Sequence, residues 1–141
     1  MIAIDTNVLL RYLLDDDPAQ SEKAGKLIVG NDVVLVTDVV LVETLWTLKG
    51  KKYQLGKTDL IGIVRALFEE TNIRFEDGQV VWMALNDYRK AKPVRGKVAD
   101  FADALITNKA KFIANSLGVS FSGSYTFDKA AQALPDAKPP I

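Results

Sequence analysis

Short, continuous apolar runs alternate along this chain with longer stretches of helical periodicity. The runs 2–4 and 33–36 are apolar at every position, which is typical of strands that are covered on both faces. A helical pattern follows each of them. Because strands that alternate with helices favour a parallel sheet flanked by helices, the sequence predicts an α/β fold with a mostly parallel sheet covered on both sides.

The predicted elements follow one another with short connections. Helices are expected at 8–14, 18–29, 38–50, 58–70, 77–91, 101–117 and, as a short last helix, 128–134. Strands are expected at 2–4, 33–36 and 72–75, with two further short pieces at 119–121 and 125–127. At 141 residues one domain is expected, and we assign it to residues 1–136, followed by a short Pro-rich tail at 137–141.

Neither cysteine nor histidine occurs anywhere in the sequence. Disulfides, thiolate catalysis, cysteine-type zinc sites and Ser-His-Asp chemistry are therefore excluded, and any bound metal must be held by oxygen. No stretch approaches the ~20 apolar residues of a membrane span, and no basic region precedes the first apolar run. We therefore expect a cytoplasmic protein that does not enter the membrane.

Four acidic residues occupy comparable positions after strands or near helix starts. Asp5 follows the first strand directly, and Glu43 lies one turn inside the helix after the second. Asp103 stands near the start of a helix, and Asp128 follows the last strand-like piece. Ligands of parallel α/β sheets bind outside the carboxyl ends of the strands, so all four side chains can face one crevice. Glu43 is the most informative because its flanks are apolar, where an unpartnered carboxylate is costly to bury.

Several carboxylates that share one crevice require a counter-ion. Two of them about 4 Å apart repel by about 4 kcal/mol at an effective dielectric constant of about 20. A ligand set made of oxygen alone selects Mg²⁺ or Mn²⁺, and such a set serves metal-assisted hydrolysis of phosphodiesters. We therefore predict that these four acids form a hydrolytic site that uses Mg²⁺ or Mn²⁺.

Each acid also has a purely structural interpretation. Asp5 could cap the helix that follows it, and Asp128 could be an ordinary helix cap. Asp100 and Asp103 together resemble a capping box, and Glu43 could pair with Lys49 or Lys52. A single acid is weak evidence for a site. The joint placement of the four on different elements carries the catalytic interpretation.

Two basic segments contain no acid, although the net charge of the whole chain is zero. The first, 49–57, includes Lys49, Lys51 and Lys52, and the second, 89–97, includes Arg89, Lys92, Arg95 and Lys97. Such segments are commonly solvated surface. The second lies close in sequence to Asp100 and Asp103, which favours a role in binding a negatively charged substrate.

Four motifs, in this order and at these spacings, resemble those of the PIN-domain ribonucleases, and specifically the VapC toxins of bacterial and archaeal toxin–antitoxin pairs. They are IAIDTN at 2–7, VVLVETLWTL at 39–48, DFADALI at 100–106 and TFD at 126–128. The resemblance spans nearly the whole chain. It implies a PIN-like three-layer α/β/α sandwich, usually dimeric, that cuts single-stranded RNA with Mg²⁺ or Mn²⁺.

The resemblance also assigns roles by motif position. It implies that the catalytic and metal-binding acids are Asp5, Glu43, Asp103 and Asp128, with Asp100 as an additional acid and Thr6, Asn7 and Thr126 as polar residues beside the metal. The partners that it implies are an RNA substrate, whose phosphates the two basic segments could bind, and a VapB-type antitoxin. Helices 38–49 and 58–70 are apolar around much of their circumference, which indicates either a dimer interface or core.

Three other interpretations make different demands on the sequence. A receiver-type signalling domain requires an adjacent pair of acids after the first strand, where Asp5 stands alone. A phosphatase with an aspartyl nucleophile requires an acid at the position of Asn7. A PIN fold that binds RNA without cutting it would not need the four motif acids.

Overall fold

The structure, a computed structural model, describes residues 1–141, which divide into a first unit, Met1–Asp77, and a second unit, Gly78–Ile141. None of the helices combines the length and the apolar character that crossing a membrane would require.

The first unit contains a three-stranded parallel sheet and four helices. In chain order they are β1 (Ile2–Ala3), α1 (Thr6–Leu14), α2 (Pro18–Ile28), β2 (Val34–Val36), α3 (Asp38–Lys49), α4 (Lys57–Glu69) and β3 (Ile73–Phe75). The strand order is β1-β2-β3, so β2 is central and pairs in parallel with both neighbours. The predicted α/β class with a parallel sheet is therefore confirmed.

The core of the first unit explains why β2 is apolar throughout. Val34 and Val36 are completely buried, and so are Leu9 of α1 and Leu41 and Leu48 of α3. Both parallel connections in this sheet run through helices, and the side chains of those helices cover the strands, as such crossovers require. The carboxyl ends of β1 and β2 consequently lead directly into the first turns of α1 and α3.

A partly buried hydrogen bond joins α1 to the end of α4. The hydroxyl of Tyr12 donates to Oε1 of Glu70. Burial, and then the hydrogen bond to Glu70, raise the pKa of Tyr12 to about 12. Since the unfolded phenol titrates near pH 10, folding favours its neutral form, and this contribution to stability is complete below about pH 10 and disappears as the pH rises towards 12.

We therefore expect the free energy of unfolding to fall more steeply in the wild type than in Tyr12→Phe between about pH 9 and about pH 12. Urea unfolding at both ends of this range measures the difference, and titration of the other tyrosines and the lysines cancels in the comparison. Equal pH dependence in the two proteins would contradict the assigned pKa shift.

The second unit consists of two long helices and a small two-stranded sheet. Its elements are α5 (Gly78–Lys90), α6 (Phe101–Leu117), β4 (Ser124–Tyr125), a 3₁₀ helix (Ala131–Ala133) and β5 (Ala137–Lys138). Helices α5 and α6 pack on each other, and the rings of Tyr88 and Phe101 meet edge to face with centroids 6.1 Å apart. Nδ2 of Asn108 in α6 donates to Oδ2 of Asp87 in α5 at 2.9 Å.

Predictions for the C-terminal region were partly wrong. Residues 119–121 form no strand, because the chain leaves α6 through Gly118 in the left-handed conformation and the amide of Val119 still bonds to Ala114 O at 3.0 Å. The predicted strand at 125–127 is shifted to Ser124–Tyr125. The helix predicted at 128–134 is reduced to the 3₁₀ helix Ala131–Ala133.

The segment predicted as a tail contributes a strand. Ala137 and Lys138 pair in parallel with β4, and the amide of Thr126 donates to Lys138 O at 3.0 Å. This pairing fixes the backbone from Ser124 to Thr126. The assignment of the domain to residues 1–136 stays a prediction.

Candidate active site

Asp5 caps α1 with one carboxylate oxygen and keeps the other available. The residue lies just beyond β1 in an extended conformation, and its Oδ1 accepts a hydrogen bond from the amide of Val8 at 2.9 Å. Its side chain is exposed, and Oδ2 has no hydrogen-bond partner. The capping and the ligand interpretations of Asp5 are therefore compatible, because each uses a different oxygen.

Glu43 is tied to the residue that follows Asp5. Oγ1 of Thr6 donates to Oε2 of Glu43 at 2.7 Å, which joins the first turn of α1 to α3. The expected burial of Glu43 is not found, because the helix directs Leu41 and Leu45 into the core and leaves Glu43 exposed. Its bond is with Thr6 rather than with a lysine. The first unit thus brings Asp5, Thr6 and Glu43 to the carboxyl end of β1.

A cavity of about 260 Å³ opens beside Asp5 in the first unit. Its lining residues include Asp5, Asn7, Val8, Arg11, Gln20 and Lys23. Arg11 is held by Gln20 and by Asp16, both at 2.8 Å, whereas Lys23 makes no ion pair. Asn7, predicted as a supporting polar residue, therefore shares a cavity with the first candidate acid.

Asp103 and Thr126 line a smaller cavity in the second unit, with a volume of about 110 Å³. Asp103 lies in the first turn of α6, where its Oδ2 accepts from the amide of Asp100 at 2.9 Å, one of the two bonds of the predicted capping box. Both acids are half-buried. Burial, and then the negative charge of Asp100, raise the pKa of Tyr88.

Thr126 connects this cavity to Asp128. Its Oγ1 accepts from the amide of Asp128 at 3.0 Å, and its carbonyl accepts from Nε2 of Gln132 at 2.8 Å. Oδ1 of Asp128 accepts from the amides of Ala130 and Ala131 at 2.8 and 3.3 Å. Asp128 is exposed, and its Oδ2 has no partner. Thr126 therefore shares a cavity with Asp103 and a hydrogen bond with Asp128.

The carboxylate oxygens of the candidate acids are of the chemical type that binds hard cations. Asp5, Glu43 and Asp128 each have one oxygen fixed by a hydrogen bond and one without a partner, and Mg²⁺ and Mn²⁺ prefer such oxygen ligands. Within neither unit do three or more acidic side chains form a group that could hold a metal ion. The prediction that four acids share one crevice stays a prediction.

The predicted phosphate contacts are exposed. Lys49 ends α3, and Lys51 and Lys52 occupy the turn after it, where Nζ of Lys52 lies 5.2 Å from the centroid of the Tyr53 ring. Arg89 is in the last turn of α5, and Lys92 lines a cavity with Asp87 and Lys90. Arg95 and Lys97 line a larger cavity, of about 530 Å³, together with Asp128.

Sequence reasoning missed several residues that the structure places around the candidate acids. Phe127 and Lys129 line the cavity of Asp128, Lys23 lines that of Asp5, and Gln132 supports Thr126. The order Phe127-Asp128-Lys129, an aromatic side chain and a cation on either side of the acid, was a signal available in the sequence. The strand predicted at 125–127 includes Phe127 and therefore conceals this signal.

Comparison with known proteins adds one family and one solved structure. The family model described as PIN domain matches residues 2–114, and the predicted PIN-like fold is thereby confirmed. No curated protein sequence matches the chain. The crystal structure of Mycobacterium tuberculosis VapC20, described as a toxin that cleaves the sarcin-ricin loop, is similar over 99% of this chain and 100% of its own, with 20% sequence identity and a TM-score of 0.41.

Proposed function

Since the chain belongs to the PIN-domain family, we propose that it is a metal-dependent endoribonuclease that acts as the VapC-type toxin of a toxin–antitoxin pair. The observation that carries the proposal is the pair of carboxylates, Asp5 and Glu43, joined through Thr6 at the carboxyl end of a parallel strand. That edge is where α/β sheets bind their ligands. The sequence contains no histidine that could transfer protons beside these two carboxylates. This favours a hydrolytic reaction that is assisted by a metal.

The acids that we propose as metal ligands are Asp5, Glu43, Asp103 and Asp128, with Asp100 as an additional candidate. When bound, Mg²⁺ or Mn²⁺ would lower the pKa of an attacking water and offset the charge of the scissile phosphate. The chain's own contribution is to fix the carboxylates before substrate arrives. The amide of Val8 holds Oδ1 of Asp5, and the amides of Ala130 and Ala131 hold Oδ1 of Asp128.

Thr6 serves in this scheme as a positioning residue for Glu43. Thr6→Val keeps the shape of the side chain but removes the 2.7 Å hydrogen bond to Oε2. We expect the Mg²⁺ concentration for half-maximal RNA cleavage to rise roughly tenfold, because partners that orient a metal ligand are typically worth 10–100-fold. Thr6→Ser should restore the wild-type value. If Thr6→Val needs the same Mg²⁺ concentration as the wild type for half-maximal cleavage, the bond does not position Glu43. This conclusion holds whatever the maximal rate of the variant is.

The exposed cations of the two basic segments are proposed to bind RNA phosphates. Phosphate contacts position a nucleic acid without specifying its sequence, so these residues would raise affinity for many RNAs alike. Their binding should weaken steeply with salt.

A VapB-type antitoxin is the protein partner that we propose. Asp5, Glu43 and Asp128 are exposed and each has an unbonded carboxylate oxygen. Such oxygens accept an arginine or lysine side chain in the same way as they accept a cation, and charge-assisted hydrogen bonds of this kind are strong. A bound antitoxin would therefore inhibit cleavage by occupying the acids. We also propose that the protein acts in the cytoplasm.

We propose that the protein is a homodimer that uses an apolar face of α3. Val39 and Trp46, seven residues apart and hence on one face of the helix, have exposed fractions of 61% and 72%. Helix α4 does not share this character, because it buries Leu60, Val64 and Leu67 and exposes polar and small residues. Of the two alternatives that the apolar pattern left open, interface or core, α4 therefore fits core.

Cleavage of single-stranded RNA by the purified 141-residue chain with Mg²⁺ tests the proposed function. We expect cuts at discrete positions, which sequencing of the new ends would identify. Release of phosphate from phosphomonoesters, or phosphotransfer from acetyl phosphate, in place of RNA cleavage would contradict it and favour the phosphatase or the receiver interpretation.

A further inference from the structure

We propose that Phe127, Arg95, Lys97 and Lys129 form a binding site for one unpaired nucleotide of an RNA strand, with the base stacked on Phe127 and the adjoining phosphates held by the three cations. The inference rests on the proposed ribonuclease function and deepens it. It concerns the cavity of about 530 Å³ in the second unit, whose lining includes all four residues together with Asp128.

A tight turn holds two of the cations at this cavity. The amide of Val94 donates to Lys97 O at 2.7 Å, and the amide of Lys97 donates to Val94 O at 3.1 Å. The two residues between them, Arg95 and Gly96, have φ values of 52° and 78°, as in a two-residue hairpin turn of type I′. Glycine or asparagine suits that first position better than arginine does. An unfavourable backbone conformation at an arginine is a feature that is frequent at ligand sites.

The cations of this cavity are not used by the fold. Arg95, Lys97 and Lys129 are exposed and form no ion pair and no side-chain hydrogen bond, whereas Lys111 of the same unit pairs with Asp136 at 2.6 Å. Three cations against one carboxylate, that of Asp128, leave a net positive potential at this cavity. In a chain of zero net charge, that potential selects an anionic ligand at this place rather than over the whole surface.

Phe127 supplies the feature that distinguishes a nucleotide from a simple anion. Its exposed fraction is 86%, so the ring contributes almost nothing to the core. A cationic groove with an exposed aromatic ring is the arrangement that binds single-stranded nucleic acid, since every base has a face that can stack. Bases in a duplex are already stacked on each other, so the site would take unpaired nucleotides.

The position of the site also relates it to the candidate chemistry. Phe127 and Lys129 are the chain neighbours of Asp128, whose Oδ1 is held by the amide of Ala130 at 2.8 Å. A base stacked on Phe127 would therefore place its own phosphate close to Asp128. The site would thus set which phosphodiester along an unpaired strand lies next to this acid.

Binding of a short, dye-labelled single-stranded oligoribonucleotide of mixed sequence tests the proposal, measured by fluorescence anisotropy with EDTA present so that no RNA is cut. Phe127→Leu keeps an apolar side chain but removes the ring, and we expect roughly tenfold weaker binding, while Phe127→Tyr should bind like the wild type. Lys129→Gln should lower the slope of log affinity against log salt by about 0.7, the value for one phosphate contact on a single strand.

Matched controls come from exposed residues outside the cavity. Phe112→Leu on α6 and Arg65→Gln on α4 should leave affinity and salt dependence unchanged. Wild-type affinity in Phe127→Leu, an equal loss in Phe112→Leu, or a duplex bound as tightly as the single strand would each overturn the proposal. If RNA is bound as expected but is not cut when Mg²⁺ is supplied, the ribonuclease function fails and the binding site stands. If RNA is cut but Phe127→Leu binds normally, the site fails and the ribonuclease function stands.

Discussion

Asp5→Asn is expected to reduce Mg²⁺-dependent RNA cleavage by at least about a hundredfold while leaving the stability of the protein almost unchanged. The two effects separate because the two oxygens of Asp5 have different partners. Oδ1 caps α1 through the amide of Val8, and the side-chain oxygen of asparagine can make the same bond. The negative charge and the second oxygen, which we assign to the metal, are lost.

Cleavage rates at saturating RNA and urea unfolding of the same preparations measure the two effects. Asp32→Asn, at an exposed acid in the turn before β2, is the matched control and should retain wild-type activity. Asp5→Ala removes the cap as well and should cost about 1 kcal/mol of stability. If Asp5→Asn keeps wild-type activity, Asp5 is a helix cap alone and the proposed site is wrong.

The parallel sheet could be predicted because its central strand leaves a clear signal. Every residue from Val33 to Val36 is apolar, and a strand has that composition when helices cover both of its faces. The observed ends of the six α-helices and of the three strands of this sheet differ from the predicted ends by at most two residues. Capping residues such as Thr37 and Gly118 mark where helices begin and end. Local chemistry determines these features, so they can be predicted from sequence.

The burial of Glu43 could not be predicted from the residues next to it in the sequence. Its flanking residues are apolar, which suggested a buried acid, but a helix turns each residue by about 100° relative to the one before it. Leu41 and Leu45 therefore enter the core while Glu43 remains exposed. Its hydrogen bond to Thr6 crosses 37 positions of sequence, and no local pattern predicts such a partner.

The end of the chain could not be predicted because its structure depends on pairing between short segments. Strands β4 and β5 have two residues each, too few for a periodic pattern, and they are held by bonds such as that from Ser124 N to Asp136 O at 2.9 Å. The alternation at 119–121 suggested a strand that has no partner in the structure. The cavity around Phe127 was missed for the same reason, since the turn at Arg95 and the residues around Asp128 are brought together by tertiary structure.

Removal of divalent metal is expected to abolish RNA cleavage entirely, and Mg²⁺ or Mn²⁺ should restore it. Cleavage of RNA without a metal relies on general acid and base groups that titrate near neutral pH, and histidine, the side chain best suited to that task, is absent from the sequence. Zn²⁺ should restore activity poorly, because the chain has neither the histidine nor the cysteine ligands that zinc sites favour.

A binding measurement makes this prediction independent of turnover. A metal that binds only the folded chain stabilises it, by about 2.7 kcal/mol at a concentration a hundred times its Kd, so Mg²⁺ should raise the Tm of the wild type. Mg²⁺ should raise the Tm of Asp5→Asn much less than it raises that of the wild type. It should raise the Tm of Asp32→Asn by as much as that of the wild type. Cleavage that persists in EDTA but disappears in Asp5→Asn would assign Asp5 to proton transfer instead. Because the carboxylate would then act without a cation, the proposed roles of Glu43 and Asp128 as further ligands would have to be given up with it.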